Sequence, residues 1–144
     1  MKTLLAFITA TLAFAVVASD EDQNQDKGAS IAMLKAVVHV NFADTDRQED
    51  ALGNIENIMK AVSTAQIEVV CHGKGINLVV TKQSIHAEKM DSLMKQGVHF
   101  VACENTMKKK AIEKDALVSG VTTVPSGAIE VLRKQHEGYG YFKP

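Results

Sequence analysis

The thiols and imidazoles of this chain, which can act as nucleophiles, acid/base groups or metal ligands near neutral pH, are few: 2 cysteines, Cys71 and Cys103, and 5 histidines. Cys103 ends the apolar run VHFVAC and is followed at once by ENTMKKK. A thiol at that junction faces the free amides of a helix start, and Lys108, Lys109 and Lys110 add positive charge; both favour the thiolate, which is the nucleophilic form. Glu104 opposes this, because a negative neighbour disfavours a second negative charge. Its side chain can point away along the turn, whereas the amides of Asn105, Thr106 and Met107 are fixed by the backbone, so the amides should win. Cys103 is therefore the candidate catalytic residue. The competing reading is a buried, inert thiol, since free Cys is among the most buried residue types.

Cys71 ends the run IEVV and reads as a packing residue. His39 and His72 can serve as acid/base groups or, with the thiols, as metal ligands; the blander reading is that strand histidines are held by hydrogen bonds. Gly73 and Gly75 suit a tight turn whose backbone approaches a ligand, although GKG lacks the wider phosphate-binding patterns. The candidate ligand-binding set is Asn41, His72, Gly73, Asn105 and Thr106, with Asn105 and Thr106 also expected as caps that orient the amides facing Cys103. No CxxC or Cys/His spacing marks a zinc site and no Ser/His/Asp set with a nucleophile elbow is present, VPSGA included. No cofactor is expected.

These residues need elements to position them. KAVVHVNF has the short, β-branched character of a strand buried on both faces. Thr45 with Gln48, or Asp46 with Glu49, fits a helix-opening pattern, and Leu52, Ile55, Ile58, Met59 and Val62 follow at helical spacing. IEVV forms a second strand ending at Cys71, with a CHGKG turn after it. INLVV reads as loop with partial helix, and a helix from about Ser84 to Gln96 stops at Gly97. VHFVAC is a third strand, and a short helix through MKKKAIEK follows it. TTV is a fourth strand, Pro125 opens a helix from Ser126 to about His136 ended by Gly138, and YGYF is a last edge strand. The alternation predicts a small, doubly wound, mainly parallel five-stranded α/β sheet with helices on both faces and right-handed crossovers. With strand order 2-1-3-4-5, the first and third strands flank the crevice where ligands collect. The first strand then separates those of Cys71 and Cys103 by about 9.6 Å. That exceeds the roughly 7 Å limit for a disulfide, so no intrachain bridge is expected.

The 144 residues suit one domain, and 46% hydrophobic with 23% charged composition suits a globular core. Lys and Arg total 16 against 17 for Asp and Glu, leaving no basic field for a nucleic-acid backbone. Lys2, the apolar run LLAFITATLAFAVV, and Ala18-Ser19 before DEDQNQD read as a secretory signal peptide. The apolar run falls short of the roughly 20 residues that span a bilayer, so no permanent membrane span is expected. The division is a signal peptide over 1–19, a flexible lead-in over 20–34 and the domain over 35–144, in an exported protein, periplasmic or secreted.

Four pieces stand in order: HVNF, CHGKG, ACENTMKK and VPSGAIEVLRKQHEGYGYFKP. With them the chain resembles the DsrE/DsrF-like family from about Lys35 to Pro144. The resemblance implies a small doubly wound domain that assembles into trimers or hexamers. Some cytoplasmic members carry sulfur as a persulfide on a Cys after the third strand, the position of Cys103. Export would separate this chain from relay toward tRNA or cytoplasmic sulfite reductase. Three readings follow: an exported thiol-based sulfur (persulfide) or redox carrier using Cys103, with a small sulfur compound or a protein thiol as partner; a non-catalytic homo-oligomeric module that binds a small ligand or partner; and a periplasmic metal binder built from Cys71, His72 and Cys103.

Overall fold

Short β-branched runs become parallel strands here because both of their faces find apolar cover. The computed structural model describes residues 34–144; the signal segment and nearly all of the expected lead-in lie outside the described residues. The strands are β1 (Lys35–Val40), β2 (Gln66–Cys71), β3 (His99–Cys103), β4 (Thr122–Val124) and β5 (Gly140–Phe142). The helices are α1 (Thr45–Ala61), α2 (Ala87–Lys95), α3 (Glu104–Lys109) and α4 (Gly127–His136), with a 3-10 segment over Gly73–Val79 and a shorter one over Lys114–Ala116. All strand pairs are parallel.

Residue alternation sorts the strand side chains onto two faces. On one face Val38, Val40, Ile67, Val69, Cys71, Phe100 and Ala102 pack with Leu52 and Ile55 of α1, Met90 and Leu93 of α2, and Met107 of α3 in the main core. On the other, Val37, Val70 and Val101 pack with Val131 of α4, flanked by Val124 and Tyr139. Helices thus cover both faces, as the alternating pattern required, but among the described residues α4 alone serves the second.

The strand order is β4-β3-β2-β1-β5, which corrects the expected 2-1-3-4-5. The chain steps from β1 through β2 and β3 to β4 in one direction, then crosses the opposite face through α4 to place β5 beside β1. Hydrophobic period and length mark a strand but not its neighbour. The correction moves the crevice. The connection after β3 turns to the main-core face and the connection after β4 turns to the α4 face, so the reversal lies between β3 and β4.

Local chemistry fixes the boundaries. Asp44, rather than the expected Thr45 or Asp46, caps α1 by accepting the Arg47 N–H at 2.8 Å. Gln48, expected to serve that cap, is instead buried and donates to Phe42 O and Asn77 Oδ1, each at 2.8 Å, tying α1 to the 3-10 segment. INLVV lies mostly in that 3-10 segment, in line with the partial helix expected. Gly75 is required there: a Cβ would sit 2.3 Å from Val40 O. The helix expected through MKKKAIEK begins earlier and ends sooner, with Ala111 at φ 51° breaking it. Ser126 caps α4, its Oγ accepting the Ile129 N–H at 3.5 Å. Among the described residues no helix is long and apolar enough to cross a membrane.

Candidate functional site

Cys103 is the last residue of β3 and occupies the N-cap position of α3, so Asn105 and Thr106 are not caps but first-turn residues. This corrects their expected role and strengthens their expected effect, because first-turn amides are unpaired within the helix. Cys103 pairs in register with Val124, the last residue of β4, at the strand reversal. Just beyond β4, α4 begins at Gly127, and its amide also points at the Cys103 sulfur. Two helix starts therefore meet at one thiol.

Burial pushes the Cys103 thiol up, but the Thr106 hydroxyl and the amides of Gly127, Thr106 and Asn105 all hydrogen-bond the sulfur and outweigh it. The pKa lies below the ordinary thiol value. Thr106 is held in place, since its Oγ1 accepts the Gly73 N–H at 3.0 Å and is left to donate to the sulfur. The Asn105 amide also reaches Pro125 O at 3.3 Å, tying α3 to the turn before α4. Glu104 points away as its geometry allowed: it accepts from Thr123 Oγ1 at 2.7 Å and pairs with Lys114 at 3.2 Å. Cys103 is 4% exposed, so the sulfur is nearly covered, yet it belongs to neither apolar cluster. The residue is buried, as the inert reading held, but in a polar cradle.

Cys71 differs in every respect. It lies on the main-core face, fully buried among apolar side chains, and burial alone raises its pKa far above the ordinary value. It pairs with Ala102, not across an intervening strand. β2 and β3 are neighbours, so no intervening strand holds the two cysteines apart as expected. Both cysteines are free, and their side chains leave opposite faces of the sheet, which separates them instead. The same geometry keeps Cys71, His72 and Cys103 from converging on one ion, and among the described residues no group of three or more His, Cys, Asp or Glu is placed to hold a metal.

His72 follows β2 on the α4 face. A Cβ on Gly127 would lie 2.9 Å from His72 Cβ and 3.2 Å from Cys103 Cβ, so His72 and Cys103 flank the same glycine. His39, one strand over on the same face, meets His72 through their Nε2 atoms at 2.5 Å, and its Nδ1 lies 2.7 Å from Tyr141 Oη. Burial, then His72 and Lys143, lower the His39 pKa to about 4; burial and Lys143 lower that of His72. Of the other expected ligand residues, Gly73 joins the site through Thr106. Asn41 sits half-buried beyond β1, its backbone nitrogen 2.9 Å from where a Gly75 Cβ would be. Tyr141 and Gly127 were not legible as site residues; only the placement of β5 beside β1 and of α4 over β2 and β3 brings them in.

The model of the DsrE/DsrF-like family matches residues 12–144. The chain belongs to the DsrE/DsrF-like family. Among solved structures, it is similar to MTH1491, a protein of unknown function from Methanobacterium thermoautotrophicum, with 32% identity and a TM-score of 0.73 over 77% of this chain and 99% of that one. It also shares the fold of the ychN protein from E. coli, at 13% identity and a TM-score of 0.68 over 78% of this chain and 100% of that one. A search of curated proteins gives no match. The DsrE/DsrF-like fold thus accounts for the five-stranded sheet that brings Cys103 to its reversal point.

Proposed function

We propose that this protein is an exported thiol-based sulfur carrier that holds a sulfur atom as a persulfide on Cys103. The observation that carries the reading is the convergence of the Gly127, Thr106 and Asn105 amides and the Thr106 hydroxyl on the Cys103 sulfur. Such donors stabilise an anion and cost no reorganisation when it forms. They serve equally the thiolate that attacks and the persulfide anion that results. In the loading step the Cys103 thiolate attacks the outer sulfur of a donor R–S–SH. The donor's S–S bond breaks, R–S⁻ leaves, and Cys103–S–SH forms with no net change in oxidation state. The donor is a small sulfur compound or a protein persulfide, and the near-complete cover of Cys103 favours one whose reactive end is slender.

Export is part of the proposal and rests on the Lys2, LLAFITATLAFAVV and Ala18-Ser19 pattern. So is assembly into a homo-oligomer, a trimer first, supported by Ile129 and Leu132, which stand 65% and 67% exposed on α4. The low exposure of Cys103 favours one competing reading, a binding module with an unreactive thiol.

One experiment separates them. Protein beginning at Asp20 is incubated with a low-molecular-weight alkyl persulfide, and the Cys103 peptide is analysed by mass spectrometry. The carrier reading expects the mass of one added sulfur on Cys103 in wild type and in Cys71→Ser, and none on any residue in Cys103→Ser. An unmodified Cys103 after saturating donor would leave the binding module as the better account.

A further inference from the structure

The carrier reading of Cys103 leaves one cluster unused. Tyr141, His39 and His72 form a continuous hydrogen-bonded line along the carboxyl edge of β5, β1 and β2, on the same face as Cys103. Two observations set its character. The His39 and His72 rings are inclined by only 12° with centroids 4.7 Å apart. That separation is what the 2.5 Å Nε2–Nε2 contact adds to two ring radii, so the rings lie end to end, and the contact is an in-plane N–H···N hydrogen bond rather than a face stack. A contact of this kind holds one proton between two nitrogens.

The second observation is that the line has two self-consistent states. If the shared proton sits on His39, His39 Nδ1 accepts from the Tyr141 hydroxyl; if it sits on His72, His39 Nδ1–H donates to Tyr141. A proton that leaves from His72 Nδ1, replaced by one that enters at Tyr141, converts the first state to the second with both rings neutral before and after. Burial, with the Lys143 ammonium near both rings, disfavours an imidazolium and keeps the line in that neutral pair of states. One end, Tyr141, is 46% exposed and can exchange protons with water. The other end, His72, stands against Gly127 beside Cys103.

Resting on the carrier reading, we propose that His72, supplied through His39 from Tyr141, is the general acid/base of the Cys103 site and protonates the thiolate that leaves when a persulfide donor hands over its sulfur. The chemistry asks for such a group. In the balanced step the leaving R–S⁻ gains a proton from His72, His72 regains one through His39, and Tyr141 recovers its own from water. In the reverse direction, unloading to an acceptor thiol, the same line removes the acceptor's proton. His72 is the catalytic residue of the line; His39 and Tyr141 act through it and are positioning residues.

The test compares single-turnover sulfur transfer from a low-molecular-weight alkyl persulfide with iodoacetamide alkylation of Cys103, each followed from pH 5 to 9. For His72→Gln the transfer rate should fall roughly a hundredfold, the ordinary worth of a positioned acid/base group, while alkylation, which needs no leaving-group proton, changes little. His39→Gln and Tyr141→Phe should lose less and flatten the pH dependence of transfer, and added imidazole should restore part of the rate to His72→Ala. If His72→Gln does not fold, His39→Gln and Tyr141→Phe carry the test through the same pH profile. Wild-type rates and pH profiles in all of the variants, with Cys103 still loading, would overturn the relay and leave the carrier intact. An equal fall in transfer and alkylation would assign His72 a structural role and also overturn it. Wild-type protein that takes up no sulfur would overturn the carrier reading and the relay together.

Discussion

Gly127→Ala tests the site at the point where its parts touch. Gly127 has an ordinary φ, so alanine is allowed by the backbone, and its higher helix propensity alone would stabilise α4 by about 1 kcal/mol. Tertiary contact opposes this. The new Cβ would stand 2.9 Å from His72 Cβ and 3.2 Å from Cys103 Cβ, closer than carbon atoms pack, and both neighbours are anchored to strand ends rather than to flexible tips. The start of α4 must therefore lift from β2 and β3, and overpacking of this kind costs about 1–3 kcal/mol. Lifting α4 draws its amide from the Cys103 sulfur. A hydrogen bond to a charged group contributes about 1.5–3 kcal/mol, and the lower figure applies because the Thr106 and Asn105 donors remain. About 1.4 kcal/mol is a factor of ten, so the thiolate population below its pKa should fall roughly tenfold. Iodoacetamide kinetics against pH on a Cys71→Ser background would read this directly: about tenfold slower alkylation near pH 6, converging with the parent at high pH. A profile superimposable on the parent would refute the claim that the α4 amide holds the thiolate.

Thr106→Val keeps the shape but removes the hydroxyl that accepts from Gly73 and donates to Cys103, so slower alkylation should come with a stability loss of about 1–3 kcal/mol in urea denaturation, from the unpaired Gly73 amide. Cys71→Ser should lose a similar amount, because a hydroxyl enters an apolar core, while sulfur loading on Cys103 persists. No Cys71–Cys103 bridge should form under mild oxidants, as a non-reducing peptide map would register. Stability should also decline as pH falls from 6.5 toward 4: His39 stays neutral when folded down to about pH 4 but protonates near 6.5 when unfolded, so acid favours the unfolded chain across that window. The urea midpoint should be lower at pH 5 than at pH 7 in wild type, with a smaller gap between the two in His39→Gln.

The sequence by itself determined the elements and singled out the candidate thiol. β-Branched runs, helical spacing, and Pro125 and Gly138 at the ends of α4 act through local sterics and period, which are written in neighbouring residues. Cys103 was legible for the same reason, since a Cys where a strand runs into a helix meets that helix's own amides. The strand order was decided only by the tertiary structure, because parallel strands are joined by helices that conceal which neighbour each one takes. That order carried the rest of the site. It set Cys71 and Cys103 on adjacent strands but opposite faces, brought a second helix start over the sulfur, and laid Tyr141 against His39 although 102 residues separate them. Contacts between residues so far apart in the chain are fixed by how faces and edges pack, and no local pattern encodes them.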